Sequence, residues 1–208
     1  MTPAIPLTDA LPIAVSGVVL TGGKSSRMGR DKATLEIAGE RLLDRQLRLL
    51  SAAGCQERLV SVARPDAALH LPSPGLRAIG DRFPEAGPLA GLERSLAVAE
   101  HELLLALAVD LPAMTAEFLR TLLARTTPGC GVVPVIGDRF EPLAAVYPRP
   151  AHAEAERRLT SGELALQPFV RAGLAAGWLR PYPVNEAEER LFTNWNRPED
   201  LLSGGEPV

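Results

Sequence analysis

The chain of 208 residues is long enough for one domain with a sizeable core and only marginally long enough for two. Its 46% hydrophobic and 23% charged content excludes disorder of the whole chain. The net charge of −3 argues against a general binder of nucleic acid or of anionic membrane, because such proteins concentrate basic charge.

Residues 1–12, with Pro3, Pro6 and Pro12, read as an irregular leader ahead of one domain spanning residues 13–208. The leader lacks the basic start and long apolar segment of an export signal. From there apolar runs of strand length alternate with helical patterns. Residues 13–20 predict a strand, residues 42–53 an amphipathic helix stopped by Gly54, and residues 58–63 a second strand. Residues 89–99 predict a helix. Residues 103–109 form an unbroken apolar run, too short to cross a bilayer and suited to a strand buried on both faces. Thr115 can cap a helix running to about Arg125, with Glu117 in its first turn. Residues 132–135 and 143–147 read as short strands, 151–159 and 164–176 as helices and 178–184 as a late strand, and Pro198 opens a short final helix. This succession predicts the α/β class: a single three-layer, Rossmann-like domain with a mainly parallel central sheet. Cys55 and Cys130 lie far apart, with no CxxC and no histidine cluster nearby, so neither a zinc site nor a redox motif is expected. A reduced, cytoplasmic chain follows.

The first strand runs into "LTGGKSSRMGRDK", where Lys24, Arg27, Arg30 and Lys32 crowd around two glycines. In an open α/β sheet ligands bind at the carboxyl ends of the strands, and this loop leaves the end of the first one. Gly22 and Gly23 can bring their N–H groups close to a phosphate, and Lys24, Arg27 and Lys32 can add charge-assisted hydrogen bonds. Spacing excludes a P-loop, since Arg27 and Met28 stand where GxxxxGK[ST] needs its second glycine; the dinucleotide fingerprint GxGxxG is also absent. A polyphosphate is the expected ligand, held chiefly by Gly22, Gly23, Arg27 and Lys32, while Lys24 and Arg30 read equally well as solvated.

"LTGGKSSRMGRDKATLEIAG", "GPLAGLERSL", "LALAVDLPAM", "FEPLAAVYPR" and "FTNWNRPEDL" follow one another in an order that resembles the molybdenum cofactor guanylyltransferases, the MobA family. The resemblance covers nearly the whole chain from Gly17 to Leu201. It implies a nucleotidyltransferase domain and a Mg2+-dependent enzyme that transfers GMP from GTP to molybdenum-molybdopterin, forming the guanine dinucleotide form of the cofactor and releasing pyrophosphate. It also implies nucleotide contacts at Leu20, Thr21, Gly22, Gly23, Lys32, Ser61, Asp81, Gly87, Pro88, Leu89 and Asp110. Transient contact with other cofactor-biosynthesis proteins or target molybdoenzymes is implied too, with no nucleic-acid or membrane partner. Two positions depart from the family pattern: Thr21 stands where alanine is usual, and Glu141-Pro142 where His-Pro is usual.

A triphosphate site needs a metal ion held by few oxygen ligands, and Asp110 closes the apolar run 103–109 just before Pro112. It reads as a Mg2+ ligand and catalytic residue beside Arg27 and Lys32; its other reading is an Asp opening a turn before proline. Asp81 in "AIGDRFPEAGPLAG" can accept the N1–H and N2–H2 edge of guanine, or face the metal, or open a turn. "GPLAG" can bring backbone close to a flat base, and Pro88 equally suits the first position of a helix. Related cytidylyltransferases tend to read LAAG in the first motif, so the double glycine and "GPLAG" favour GTP by resemblance. Asn194 and Asn196 flank Trp195; Asn196 can complete a Mg2+ shell or cap the helix opened by Pro198, and both can reach the acceptor. Arg157 and Ser161 are further acceptor candidates, or part of a charged helix face. His70, His101 and His152 have no partner spacing and read as solvated or capping residues. The competing functions are a pterin cytidylyltransferase or other sugar- or alditol-type nucleotidyltransferase, and, in a different class, a non-catalytic nucleotide-binding partner protein.

Overall fold

The computed structural model describes residues 13–21, 36–37, 39–63 and 76–193. In chain order these form β1 (Val15–Leu20), β2 (Glu36–Ile37), β3 (Glu40–Arg41), α1 (Leu42–Ala53), β4 (Glu57–Val62), β5 (Arg77–Gly80), α2 (Pro88–Val98), β6 (Leu103–Ala108) and α3 (Ala116–Leu123). There follow β7 (Gly131–Ile136), β8 (Arg139–Phe140), β9 (Ala144–Pro148), α4 (Ala151–Thr160), α5 (Leu166–Ala175), β10 (Leu179–Pro183), α6 (Glu186–Glu189) and a 3-10 turn at Arg190–Phe192.

The main sheet has the order β10-β7-β9-β6-β1-β4-β5, with β8 paired onto β7. Strands β6, β1, β4 and β5 are mutually parallel, β10 is parallel to β7, and β9 runs antiparallel between β6 and β7. This is the mainly parallel α/β sheet that the alternating pattern predicts. β1 and β6 are buried at all six of their residues, which is why both read as near-continuous apolar runs. Their side chains alternate between two cores. Leu103, Leu105 and Leu107 pack with Leu43 and Leu47 of α1 and Leu119 of α3; Leu104 and Ala106 pack with Leu92 of α2, Ala155 of α4 and Phe169 of α5. Helices therefore cover both faces in three layers.

Local chemistry sets the element ends. Leu43, Leu47 and Leu50 recur on the buried face of α1, and Gly54 ends that helix with its N–H on Ser51 O at 3.0 Å. The Thr115 hydroxyl accepts the Phe118 N–H at 3.2 Å, the cap its position predicts for α3. At the N-terminal edge of the sheet Glu57 accepts from the Ser16 hydroxyl at 2.5 Å, the Glu100 N–H at 2.8 Å and Arg77 Nη1 at 2.8 Å. This polar cluster satisfies a carboxylate that is 9% exposed. The β2–β3 ribbon, β8 and α6 go unpredicted, being two to four residues long and too short to show a period.

Candidate functional site

Because β6, β1, β4 and β5 are parallel, their carboxyl ends share one edge, where Asp110, Thr21, Ser61 and Asp81 follow in spatial order. Register is fixed here: Leu20 lies opposite both Ser61 and Ala108, and Val62 opposite Gly80. Thr21 ties the edge together, its N–H and its hydroxyl both reaching Ser61 O, at 3.1 and 2.7 Å. The hydroxyl that sets Thr21 apart from the family's usual alanine is thus spent on the end of β4. Val109 N–H reaches Leu20 O at 3.1 Å, and Asp81 N–H reaches Val62 O at 3.2 Å.

At the β4–β5 end the Ser61 hydroxyl donates to Asp81 Oδ1 at 3.3 Å. Burial pushes the Asp81 carboxyl up to about 6; the Ser61 hydrogen bond opposes that rise and the Glu93 charge adds to it. The connection from Asp81 to α2 carries two left-handed residues, Glu85 at φ 63° and Gly87 at φ 74°. For Glu85 that conformation costs about 1 kcal/mol or more; Gly87 adopts it freely. Gly87 is the N-cap of α2 and offers no side chain to it, Pro88 opens the helix, and the first turn holds no acidic residue. At the start of α2, beside Asp81, Pro88 brings no N–H, the Ala90 N–H reaches Gly87 O at 3.1 Å, and Leu89 is buried. One turn on, Gly91 lies so close to Ser61 Oγ that a Cβ there would collide with the hydroxyl.

At the β6 end Asp110 sits in the turn before Pro112, and its backbone is gripped from α1. Gln46, wholly buried, donates through Nε2 to both carbonyls flanking Asp110, Leu111 O at 2.8 Å and Val109 O at 3.4 Å. Arg45 donates to Pro112 O at 2.9 Å. Gln46 occupies a core-facing position of an amphipathic helix, where a polar residue belongs to no motif. That misplaced polarity is itself the available signal.

The expected residues thus divide. Leu20, Thr21, Ser61, Asp81, Gly87, Pro88, Leu89 and Asp110 stand along one edge; Gly22, Gly23, Arg27, Lys32, Asn194 and Asn196 lie outside the described residues. Arg157 pairs with Glu154 at 2.9 Å and Glu163 at 3.6 Å, and the Ser161 hydroxyl donates to Arg158 O and Glu163. Acceptor binding at these two positions requires exchanging those partners for a phosphate. Glu141 is half-buried, which raises its carboxyl, while Arg139 at 3.7 Å lowers it. Its segment reaches the site edge, for Leu143 O accepts the Ala108 N–H at 2.7 Å. His152 keeps part of its ring in solvent and also has a partner no sequence spacing shows: its Nε2 lies 2.9 Å from the buried Glu93.

The three-layer domain thus gathers Asp110, Asp81 and the start of α2 at the carboxyl edge of its sheet. Residues 17–176 match the MobA-like NTP transferase domain. The chain is 43% identical to a protein of Opitutus terrae named "probable molybdenum cofactor guanylyltransferase", over 90% of this chain and 93% of that one. It is 35% identical to the protein of that name in Deinococcus radiodurans, over 92% and 95%. The chain belongs to the molybdenum cofactor guanylyltransferase family. The fold is also that of molybdopterin-guanine dinucleotide biosynthesis protein A from Archaeoglobus fulgidus, with TM-score 0.70 and 24% identity over 90% of this chain and 95% of that one. It is shared with the 2-C-methyl-D-erythritol 4-phosphate cytidylyltransferase of Thermus thermophilus, with TM-score 0.65 and 17% identity over 89% and 94%. Among the described residues no helix is long and apolar enough to cross a membrane.

Proposed function

We propose that this chain, acting through one domain over residues 13–208, transfers GMP from GTP to molybdenum-bound molybdopterin and releases pyrophosphate. One observation carries the reading beyond family membership: Asp81 and Asp110 close β5 and β6, three strand spacings apart, about 14 Å. That separation suits a nucleotide lying along the edge, its base at Asp81 and its α-phosphate at Asp110, with the glycine loop leaving β1 between them.

Guanine offers the N1–H and N2–H2 pair that the Asp81 carboxylate accepts, and cytosine lacks it. Gly87, Pro88 and Leu89 then place backbone beside the base. Gly22, Gly23, Arg27 and Lys32 hold the triphosphate. The acceptor phosphate attacks with an oxygen already ionised at neutral pH, so its bond to the α-phosphorus forms as the bond to pyrophosphate breaks and no general base is needed. Catalysis is orientation together with charge neutralisation.

A carboxylate suits a hard cation, and Asp110 presents one at the β6 end on backbone held by Gln46; Asn196, outside the described residues, is the second ligand assigned by the resemblance. Mg2+ bound there would neutralise charge developing on the α-phosphate and the leaving pyrophosphate. Asn194 and Asn196, with Arg157 and Ser161, are the residues assigned to the acceptor. The reaction places the chain in the cytoplasm, where GTP is supplied, and in passing contact with proteins that deliver the pterin or receive the product. Pyrophosphate release measured with GTP, CTP or UTP, with and without the loaded pterin, tests this. Release should require GTP, Mg2+ and the pterin together; nucleotide binding with no release would point instead to a sensor.

A further inference from the structure

Glu93 of α2 is wholly buried, yet only one of its carboxylate oxygens is used. Oε1 lies 2.9 Å from His152 Nε2 and 3.5 Å from Arg82 Nη1, whereas the equally buried Oε2 has no hydrogen-bond partner among the described residues. A buried acceptor left in this state is costly, and a charged one more so. Its surroundings supply the rest of a ligand set. Glu156, one turn beyond His152 on α4, brings a second carboxylate, and single donor atoms of Glu93, His152 and Glu156 lie within 4.8 Å of one another. An imidazole nitrogen with two carboxylate oxygens is a donor set for zinc-class ions, which take three protein ligands and water in a tetrahedron.

We propose that Glu93, His152 and Glu156 bind one divalent transition-metal ion of the zinc class, and that Arg82 fills the mouth of this site when no ion is bound. Arg82 reaches Glu156 at 2.8 Å but is 44% exposed, and Glu156 is 43% exposed. That surface pairing is weak, and a bound cation takes over the Arg82 charge beside buried Glu93, which releases the guanidinium to solvent. His152 also lines an open depression of about 290 Å3 bounded by Leu96, Arg149 and Pro150. The site is separate from the proposed Mg2+ position in its elements and in its chemistry: it joins α2 to α4 and includes a nitrogen ligand.

Co2+ is the probe, because its visible absorption reports nitrogen and oxygen coordination. One equivalent should bind to the Asp110→Asn chain, and also to the unsubstituted chain under saturating Mg2+. His152→Ala should weaken that binding by about tenfold or more, and Arg82→Ala should strengthen it severalfold. Failure to bind one equivalent, or an affinity unmoved by His152→Ala in chains of normal far-UV circular dichroism, overturns the site. An affinity unmoved by Arg82→Ala overturns the role given to Arg82.

Discussion

The Ser61 hydroxyl meets the Asp81 carboxylate at 3.3 Å across the ends of β4 and β5. Among the described residues it opposes the burial that drives this carboxyl up to about 6. A carboxyl raised in the folded state above its unfolded value of 3.8 favours folding fully below 3.8, and that contribution is lost as pH rises through about 6. At pH 7.5 the ionised group therefore weighs against stability. Asp81→Asn should raise the unfolding free energy there by about 1 kcal/mol, a figure discounted for the partial exposure of Asp81. The same change should raise the KM for GTP about tenfold, since one guanine hydrogen bond becomes a donor–donor clash. Affinity of the unsubstituted chain for GTP should fall as pH drops through about 6, and the Asn variant should lose that dependence. Thermal melts across pH and KM values at matched pH check both effects.

Gly91→Ala tests the room left for Ser61. The added methyl collides with Ser61 Oγ and comes within 3.2 Å of Leu20 Cδ2. Rotating the serine relieves the clash and breaks its bond to Asp81, so stability should fall by about 1 kcal/mol. KM for GTP should rise more than kcat falls. A variant with normal KM for GTP would show that the Ser61 rotamer is irrelevant to the base.

Gln46→Leu keeps the volume and removes both hydrogen bonds to the carbonyls around Asp110. Leaving those carbonyls unpaired should cost about 1–3 kcal/mol. A misplaced Asp110 should lower kcat about tenfold to a hundredfold and raise the Mg2+ concentration needed for half-maximal rate, with KM for GTP little changed. Steady-state rates over a Mg2+ titration separate this from a general loss of folded protein.

Asp110→Ala should abolish turnover while nucleotide binding persists, and nearly normal rates would remove Asp110 from the chemistry. Lys32→Ala should lower kcat/KM by about a hundredfold through weakened transition-state stabilisation.

Glu57 supplies a contrast from the opposite end of the sheet. Glu57→Gln disturbs the cluster with Ser16 and Arg77 and should cost about 2 kcal/mol in unfolding free energy, with part of that cost screened by exposed Arg77. Its kcat should stay unchanged, because the site lies at the other edge of the sheet.

What the sequence reveals follows from length and repetition. β1, β6 and α1 are legible because continuous burial or a helical period runs over six to twelve residues, and Thr115 because a cap has its own chemistry. Asp110 and Asp81 are legible as carboxylates just past apolar runs. Gln46, Ser61's contact with Gly91, and the Glu93–His152 pair are not, since each joins residues 30 to 65 positions apart through packing that no local pattern records. His152 shows the limit well: its sequence neighbours are unremarkable, and its meaning lies on another helix.

The most direct test of guanylyl transfer is one incubation with equimolar GTP and CTP, Mg2+ and molybdenum-loaded molybdopterin, with the pterin product identified by mass. A pterin enlarged by one GMP unit, with pyrophosphate formed in equal amount, is the expected result. A pterin carrying CMP, or one left unmodified while nucleotide is bound, would contradict it.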